Sequence, residues 1–552
     1  METFTPVPAP VAGSITLSAL VALIPLVLFF VLLAGLKLRS HWAGLISLAA
    51  AIVIAVIGFG MPTGLAALSA TQGAVFGAFP IFWIVLMAVW LYQVTVISSR
   101  FEDMRRIFDR IGGGDIRIQA ILIAFCFGGL MEALAGFGAP VAITATMLIS
   151  LGIKPLKAAA TVLVANTAPV AFGAMAIPIT TAGRLTDTDP HHIAAIAGHQ
   201  TPILAAFVPL ILLLILDGWK GVRDAWMPAL IVGVTFSIAQ WWCATFFVYE
   251  LTDIVSSLVG LLAAIVFLRL VPPRNADESN KRLGIKAPER TEVLTGSRVW
   301  YALLPYLLVI VIFGIAKLVP AVSSFLSGTD LKIPWPGLHG HLVDAKGAVS
   351  SSTFYSFQWL SSPGTLLLIT GLIVAVIYSW RTENGRYPMT VGAGIRELGR
   401  TFVNMRWTLL TIMSVLALAY VMNFSGQTVT IGLWLAATGA LFPFLSPILG
   451  WVGVAVTGSD TSANALFAKL QQTAGQQIGV DPSLLVAANT TGGVVGKMIS
   501  PQNLAIAAAS ANLDGQEATI FRTVIWWSLG MLAVLCVMIF LQSTSVLGWM
   551  LP

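Results

Sequence analysis

The residues of this chain that could do chemistry are few, and they lie in four short stretches. Glu132 stands just before GFGAP (136–140), and Asp460 lies inside GSDTS (458–462). Two further stretches echo each other: ANTAPVAFGAMAIP (165–178) and ANTTGGVVGKMISP (488–501), the second carrying Lys497. Ala, Asn, Thr, Gly, Met and Pro fall at the same offsets in both. Asn166, Thr167, Asn489 and Thr490 can donate or accept hydrogen bonds where a helix unwinds. Gly136, Gly138, Gly492 and Gly493 would let backbone approach a small anion closely. A half-helix beginning at such a break offers free N–H groups and about half an elementary positive charge. Together these are parts for binding a carboxylate without a permanently stranded charge.

The surroundings of these residues are apolar. The 552-residue chain is 57% hydrophobic and 10% charged, with a mean hydropathy of +0.89. A soluble domain carries about 25% charged residues. Many segments reach the roughly 20 apolar residues that cross a bilayer, and the long unbroken runs exclude a β-barrel, whose strands alternate. The sequence therefore specifies an all-α polytopic membrane protein. The net charge of +6 is not a nucleic-acid signal, because the basic residues cluster in loops between apolar segments. No Lys or Arg occurs in the first sixteen residues, so no cleavable signal peptide is expected. Cys126, Cys243 and Cys536 are too dispersed for a disulfide framework or a metal site. No cofactor is expected. Neither HExxH nor GxxxxGK[ST] is present, which excludes a zinc protease and a P-loop ATPase. No nucleophile–base pair is visible, so the chain does not read as an enzyme.

Ten plain spans are expected at 14–36, 42–60, 73–97, 200–217, 226–247, 252–271, 300–319, 363–380, 407–423 and 521–542. Four irregular segments carry the motifs. Residues 119–153 form a re-entrant hairpin around GFGAP, and 443–475 form a second around GSDTS. Each arm is shorter than a full span, so its bent backbone must be shielded by protein. Each hairpin precedes a helix interrupted at its Ala-Asn-Thr motif, 156–182 and 483–512. Counting the broken helices as crossings gives about 12 spans. Most of the 30 Lys and Arg then fall on one side, notably in 100–117, 272–298 and 381–406. By the positive-inside rule that side is cytoplasmic, and both termini face outward. The two halves run in opposite senses, which is inverted-repeat geometry about a midplane site. The division is a first repeat at 1–248, a linking span and cytoplasmic loop at 249–299, and a second repeat at 300–552. The segment 429–441 is too short to cross and is expected at the outer interface, opposite 101–111 at the inner one. The outer loop 320–362 reads as a partly ordered surface segment.

Glu132 and Asp460 are the acids nearest the two breaks. An ionisable group at that depth is a functional hypothesis by default, and a carboxyl suits a proton carrier. The plain alternative for Glu132 is a neutral, hydrogen-bonded structural group. Ser459, Asp460, Thr461 and Ser462 are also all good N-caps for the following half-helix, a role compatible with substrate contact. Lys497 could pair with a substrate carboxylate or with Asp460, or it could snorkel. Asn and Thr at such depth also glue helices together; two matching motifs favour a site. His191, His192 and His199 carry no relay or metal signal.

The runs CFGGLMEALAGFGAPVAITA (126–145), NTAPVAFGAMAIPI (166–179), GWVGVAVTGSDTSANALFA (450–468) and AANTTGGVVGKMISPQ (487–502) closely resemble the bacterial L-lactate permease family, and the similarity extends over nearly the whole chain. The resemblance implies proton symport of L-lactate, with D-lactate and glycolate as further substrates, across a bacterial inner membrane. It also places the chain among ion transporters that pair two hairpins with two broken helices. Sodium-coupled dicarboxylate carriers belong to that group, so a Na⁺-coupled small-carboxylate carrier is the alternative. A homo-oligomer is left open.

Overall fold

The structure is a computed structural model that describes residues 3–111, 114–135, 138–271, 273, 275–284, 295–343, 349–383, 385–513 and 516–552. Among them, 11 helices are long and apolar enough to cross a membrane, or 12 if the bent pair Pro155–Ala165 and Val170–Thr186 is one span. The two-sided hydrophobicity of these helices has a simple cause. Ile15–Leu33, Ser40–Gly58 and Gly296–Leu318 each bury less than half of their most apolar window against protein. Leu20, Ile24, Val27 and Val31 on the first of them stay exposed, which suits a lipid-facing surface. Ile116–Leu134 is the opposite case, with every residue of its window buried. That segment is the leading arm of the first hairpin, so its irregular backbone is enclosed by protein, as the bilayer requires.

Paired helices stand at both positions where hairpins are expected. The first runs through Ile116–Ile121, a π-helical turn Leu122–Phe127 and Gly128–Ala135, then returns as Ala139–Ser150. Gly138 stands at the head of the return arm with φ of 91°, a left-handed conformation that glycine adopts without strain. Gly136 lies outside the described residues. The second hairpin runs through Phe442–Thr457 and Asp460–Ile478, joined by Gly458 at φ 73°.

Several boundaries differ from expectation. The span expected at 407–423 is the end of a single 34-residue helix, Val391–Phe424, whose first half is the Arg-bearing stretch. Residues 200–217 and 226–247 fall into short Thr201–Ala205 and long Val208–Phe246, the latter broken at Gly218 and Ala225. The span at 73–97 reaches back to Thr63 and breaks at Phe79. The segment expected at the outer interface is the helix Gln427–Ala436. It is largely buried against protein: Thr430 donates to the Pro8 carbonyl (2.9 Å) and Gln427 to the Ala51 carbonyl (3.1 Å). The loop 320–362 contains the helix Pro320–Gly328 and an antiparallel strand pair, Leu331–Pro334 with Phe354–Phe357, in register Leu331↔Phe357. The N-terminal segment docks on it: the Phe4 amide donates to the His341 carbonyl at 2.7 Å.

One rim of the bundle is stapled by buried arginines. Arg100 lies 3.4 Å from the ring centre of Tyr387 and donates to the Arg381 carbonyl at 2.8 Å. Arg117 pairs with Asp115 (2.8 Å), Asp217 (3.2 Å) and Asp224 (3.3 Å). Arg282 closes this cluster, and its hydrogen bond to Asp217 raises the already high affinity of the guanidinium for its proton. Arg298 pairs with Asp103, which also accepts from Tyr387. The three cysteines are free and buried.

Candidate functional site

The two broken helices repeat each other in structure as well as in sequence. In the second, Pro482–Gly496 gives way to a 3-10 turn at Lys497–Ile499, and the chain resumes as Pro501–Ser510. Ala174, Met175 and Ala176 occupy the same offsets in the first copy. All three take left-handed backbone, at φ 47°, 60° and 55°. That conformation costs an L-residue roughly 1–2 kcal/mol, and strain of this kind persists where the surroundings over-determine it, often at functional sites. The copies also differ. The first helix breaks once more, directly after Asn166, because Pro169 withholds an N–H and crowds the carbonyl one turn back. The second copy has Gly492 at that offset, and Asn489, Thr490 and Thr491 lie within an intact helix. The second interruption therefore falls at Lys497–Ser500, set by Pro501, and not at the Ala-Asn-Thr motif.

At the centre, hairpins and broken helices meet through polar side chains. The Lys497 ammonium donates to Glu132 Oε1 at 2.6 Å, and Asn166 Nδ2 donates to Glu132 Oε2 at 2.9 Å. Glu132, on the first hairpin, thus accepts from both broken helices. Its carboxylate rests against Gly173, where an added Cβ would come within 2.8 Å of Oε1. Asn464, on the second hairpin, plays the matching part. Its Nδ2 donates to the Pro178 carbonyl (3.1 Å) in the first broken helix and to Thr490 Oγ1 (2.8 Å) in the second. Its Oδ1 accepts from Asn489 Nδ2 at 2.8 Å, and Gln471 extends the network to the Ser446 carbonyl. All of these amides are buried, where a satisfied network is worth most and an unpaired group costs most.

The remaining expected site residues are placed as follows. Thr167 bonds within its own helix, to the Val164 carbonyl (2.7 Å). Gly138 leans on Ile506 beyond the second break. Gly492 is packed against the Pro447 carbonyl so closely that a Cβ has no room; it serves helix contact. Ser459, not Asp460, is the N-cap of the second hairpin's return arm, accepting from the Ser462 amide at 3.2 Å. Ser459 and Ser462 line a cavity of about 400 Å³ with Arg39, His41 and Gln502, and Thr461 is half-buried beside them. Asp460 is 4% exposed, and neither of its carboxylate oxygens has a hydrogen-bond partner among the described residues. Lys497 pairs with Glu132, not with Asp460.

Sequence reasoning missed Asn464, which stood two residues past a motif read for its tip. It also passed over Asp253, an acid in the span 252–271. Asp253 is 1% exposed, and neither of its carboxylate oxygens has a hydrogen-bond partner among the described residues. An acid in an apolar span was the available signal. No group of three or more His, Cys, Asp or Glu residues could hold a metal ion among the described residues.

A bundle of apolar spans with its charges and amides gathered at two broken helices defines a multi-pass α-helical membrane transporter. The sequence model of the L-lactate permease family matches residues 18–546, and the chain belongs to that family. The glycolate permease GlcA of Escherichia coli K12 is 41% identical over 99% of both chains. The L-lactate permease of Bacillus subtilis strain 168 is 40% identical over 98% of this chain and 99% of its own. The L-lactate permease of Escherichia coli K12 is 41% identical over 98% of each. Among solved structures, Neisseria gonorrhoeae MtrF, of a class of antimetabolite efflux pumps, aligns over 87% of this chain and 84% of its own, at 14% identity and a TM-score of 0.44.

Proposed function

We propose that this chain is a secondary transporter that imports L-lactate, D-lactate and glycolate across a bacterial inner membrane by proton symport. The observation that carries the reading is the Glu132–Lys497–Asn166 assembly, a buried carboxylate holding the donors a substrate carboxylate would need. Protonation of Glu132 releases the Lys497 ammonium and the Asn166 amide. The ammonium then meets the substrate carboxylate, and the Asn and Thr side chains of the two motifs meet its hydroxyl. Asp460 is the second proton carrier, at the tip of the second hairpin. Relatives named for L-lactate and for glycolate, matched over nearly their full lengths, support the substrate class.

The same reading takes the halves 1–248 and 300–552 as inverted repeats joined by 249–299. The matching break offsets and the hairpin before each broken helix support it. Both termini lie on the outer side, a placement supported by the charge asymmetry and by the docking of Phe4 on the loop 320–362.

One proton travelling with one monoanion moves no net charge. The membrane potential, worth about 2.3 kcal/mol per charge per 100 mV, then contributes nothing directly. The test is lactate uptake into proteoliposomes under an imposed pH gradient, with and without Na⁺. Uptake is expected to follow the pH gradient in Na⁺-free buffer. Uptake abolished by removing Na⁺ at fixed pH would replace proton coupling with sodium coupling, and uptake driven by voltage at zero pH gradient would overturn the one-to-one ratio.

A further inference from the structure

Three buried carboxyls share one ammonium at the centre of this protein. Glu132 takes Lys497 at 2.6 Å. Asp253 and Asp460 are buried as well, at 1% and 4% exposure, yet none of their four carboxylate oxygens has a hydrogen-bond partner among the described residues. Were all three ionised, the core would hold three negative charges against one positive. An unpaired carboxylate costs several kcal/mol to bury. Charge balance therefore requires the two aspartates to be neutral while Glu132 holds Lys497. Asp460 belongs to the site already described, but Asp253 sits on a different helix and has no part in the mechanism so far.

The place of Asp253 suggests its use. It lies in the first turn of Thr252–Leu270, which packs on the first hairpin so tightly that a Cβ on Gly129 would strike the Ser257 hydroxyl. Immediately before it is the turn Tyr249–Leu251. Tyr249 and Glu250 line an open cavity of about 550 Å³ together with Thr180, Arg184 and Lys317. Glu250 pairs with Lys317 at 2.9 Å, and the Tyr249 hydroxyl bonds Thr180 at 3.2 Å. Asp253 thus stands about one helical turn along the chain from the cavity wall, on the helix that packs against the hairpin arm carrying Glu132. Cys243 on Val208–Phe246 and Cys126 on the first hairpin also flank its helix; Arg269 stands at the far end of the same helix, and Arg184 lies on Gly173–Thr186 beside Tyr249. The two cysteines are buried thiols that bring no cation to Asp253.

We propose that Asp253 is a proton-relay residue, which loads a proton from the cavity at Tyr249 and Glu250 and delivers it to Glu132. The step balances. The Asp253 carboxylic acid gives its proton to the Glu132 carboxylate, Glu132 becomes neutral and releases Lys497, and Asp253 is left as the carboxylate. The freed ammonium accepts the substrate's carboxylate, and Asp253 regains a proton from the cavity. This inference rests on the proton-symport reading and adds to it the entry route.

The experiment uses the full chain in proteoliposomes, as wild type, Asp253→Asn and Asp253→Glu. Lactate counterflow at equal pH and lactate-dependent proton entry are measured side by side. A positioned proton-transfer group typically contributes about 10²-fold or more. Asp253→Asn is therefore expected to slow pH-driven accumulation by about that factor, with counterflow retained, and Asp253→Glu to restore it. Asp253→Asn accumulating lactate like wild type, with the same pH profile, overturns the relay. So does loss of counterflow in both variants, which marks Asp253 as structural. A wild type that moves lactate without protons refutes the symport reading itself, and the relay falls with it.

Discussion

Lys497→Met, Glu132→Gln and the double variant form a cycle whose outcome can be worked from the structure. The pair is short at 2.6 Å, and its side chains are 8% and 4% exposed. An exposed ion pair is worth about 0–1 kcal/mol. A buried one is different: removing one partner strands the other and costs about 3–5 kcal/mol, whereas removing both is often close to neutral. Lys497→Met strands Glu132 with only the Asn166 amide and should lie in the upper part of that range. Glu132→Gln strands the Lys497 ammonium and should fall in the same range. The double variant should recover most of the loss, so the two single losses together exceed it by about 5 kcal/mol or more, above the roughly 3 kcal/mol usual for residues in contact. Denaturant titration of the purified protein in detergent reads all four corners. A coupling energy below about 0.5 kcal/mol would place the pair in the solvent-screened class and refute the buried-pair reasoning.

The other predictions concern the architecture around that pair. Asn464→Ala removes the shared partner of Pro178, Asn489 and Thr490; a loss of about 1–3 kcal/mol in the same titration is expected, together with failure of lactate counterflow. Gly492→Ala drives a Cβ onto the Pro447 carbonyl and should prevent stable folding, whereas Gly530→Ala, with open space around it, should be neutral or stabilising by about 0.5–1 kcal/mol. Size-exclusion profiles of the two alanine variants separate these outcomes. Arg100→Lys keeps the charge but loses the planar stack on Tyr387 and the reach to the Arg381 carbonyl; thermal melting should report a loss of about 1–2 kcal/mol.

Much of the architecture is legible in the sequence because the bilayer allows few solutions. Backbone that leaves the helix inside hydrocarbon must be shielded, so Gly and Pro at bilayer depth point to hairpins and breaks. Gly138 and Gly458 stand at the two turns for that reason. The second break was misplaced because the echo drew attention to Asn489, while Pro501 decides where the helix must stop. The helix Val391–Phe424 was shortened because Arg396, Arg400 and Arg406 dilute its first half, although nothing in those residues breaks a helix. Asn464 was illegible for a deeper reason. Its bond to Pro178 joins residues 286 positions apart, and no local pattern encodes a contact of that range. Lys497 pairing with Glu132 rather than Asp460 is of the same kind, since both acids were candidates and only packing chooses between them.

The bonds that hold the centre closed are of a kind that a 2-hydroxy acid can exchange. Where hairpins and broken helices close on each other by apolar packing, as at Gly492 and Pro447, nothing in a small polar solute could substitute for the contact. Glu132 is otherwise: it is a carboxylate held by one ammonium and one amide, the partners that a bound lactate would claim. While Glu132 is ionised, it occupies both the ammonium and the amide. Once it is neutral, the ammonium and amide are unpaired in a buried setting, which costs free energy until an anion arrives. Under the proposed symport, proton and substrate would each favour the other's binding by the same factor, because linkage between two binding events is reciprocal. Coupling of this sort needs no signal transmitted over distance. It requires only that an internal carboxylate and an external one compete for the same two donors.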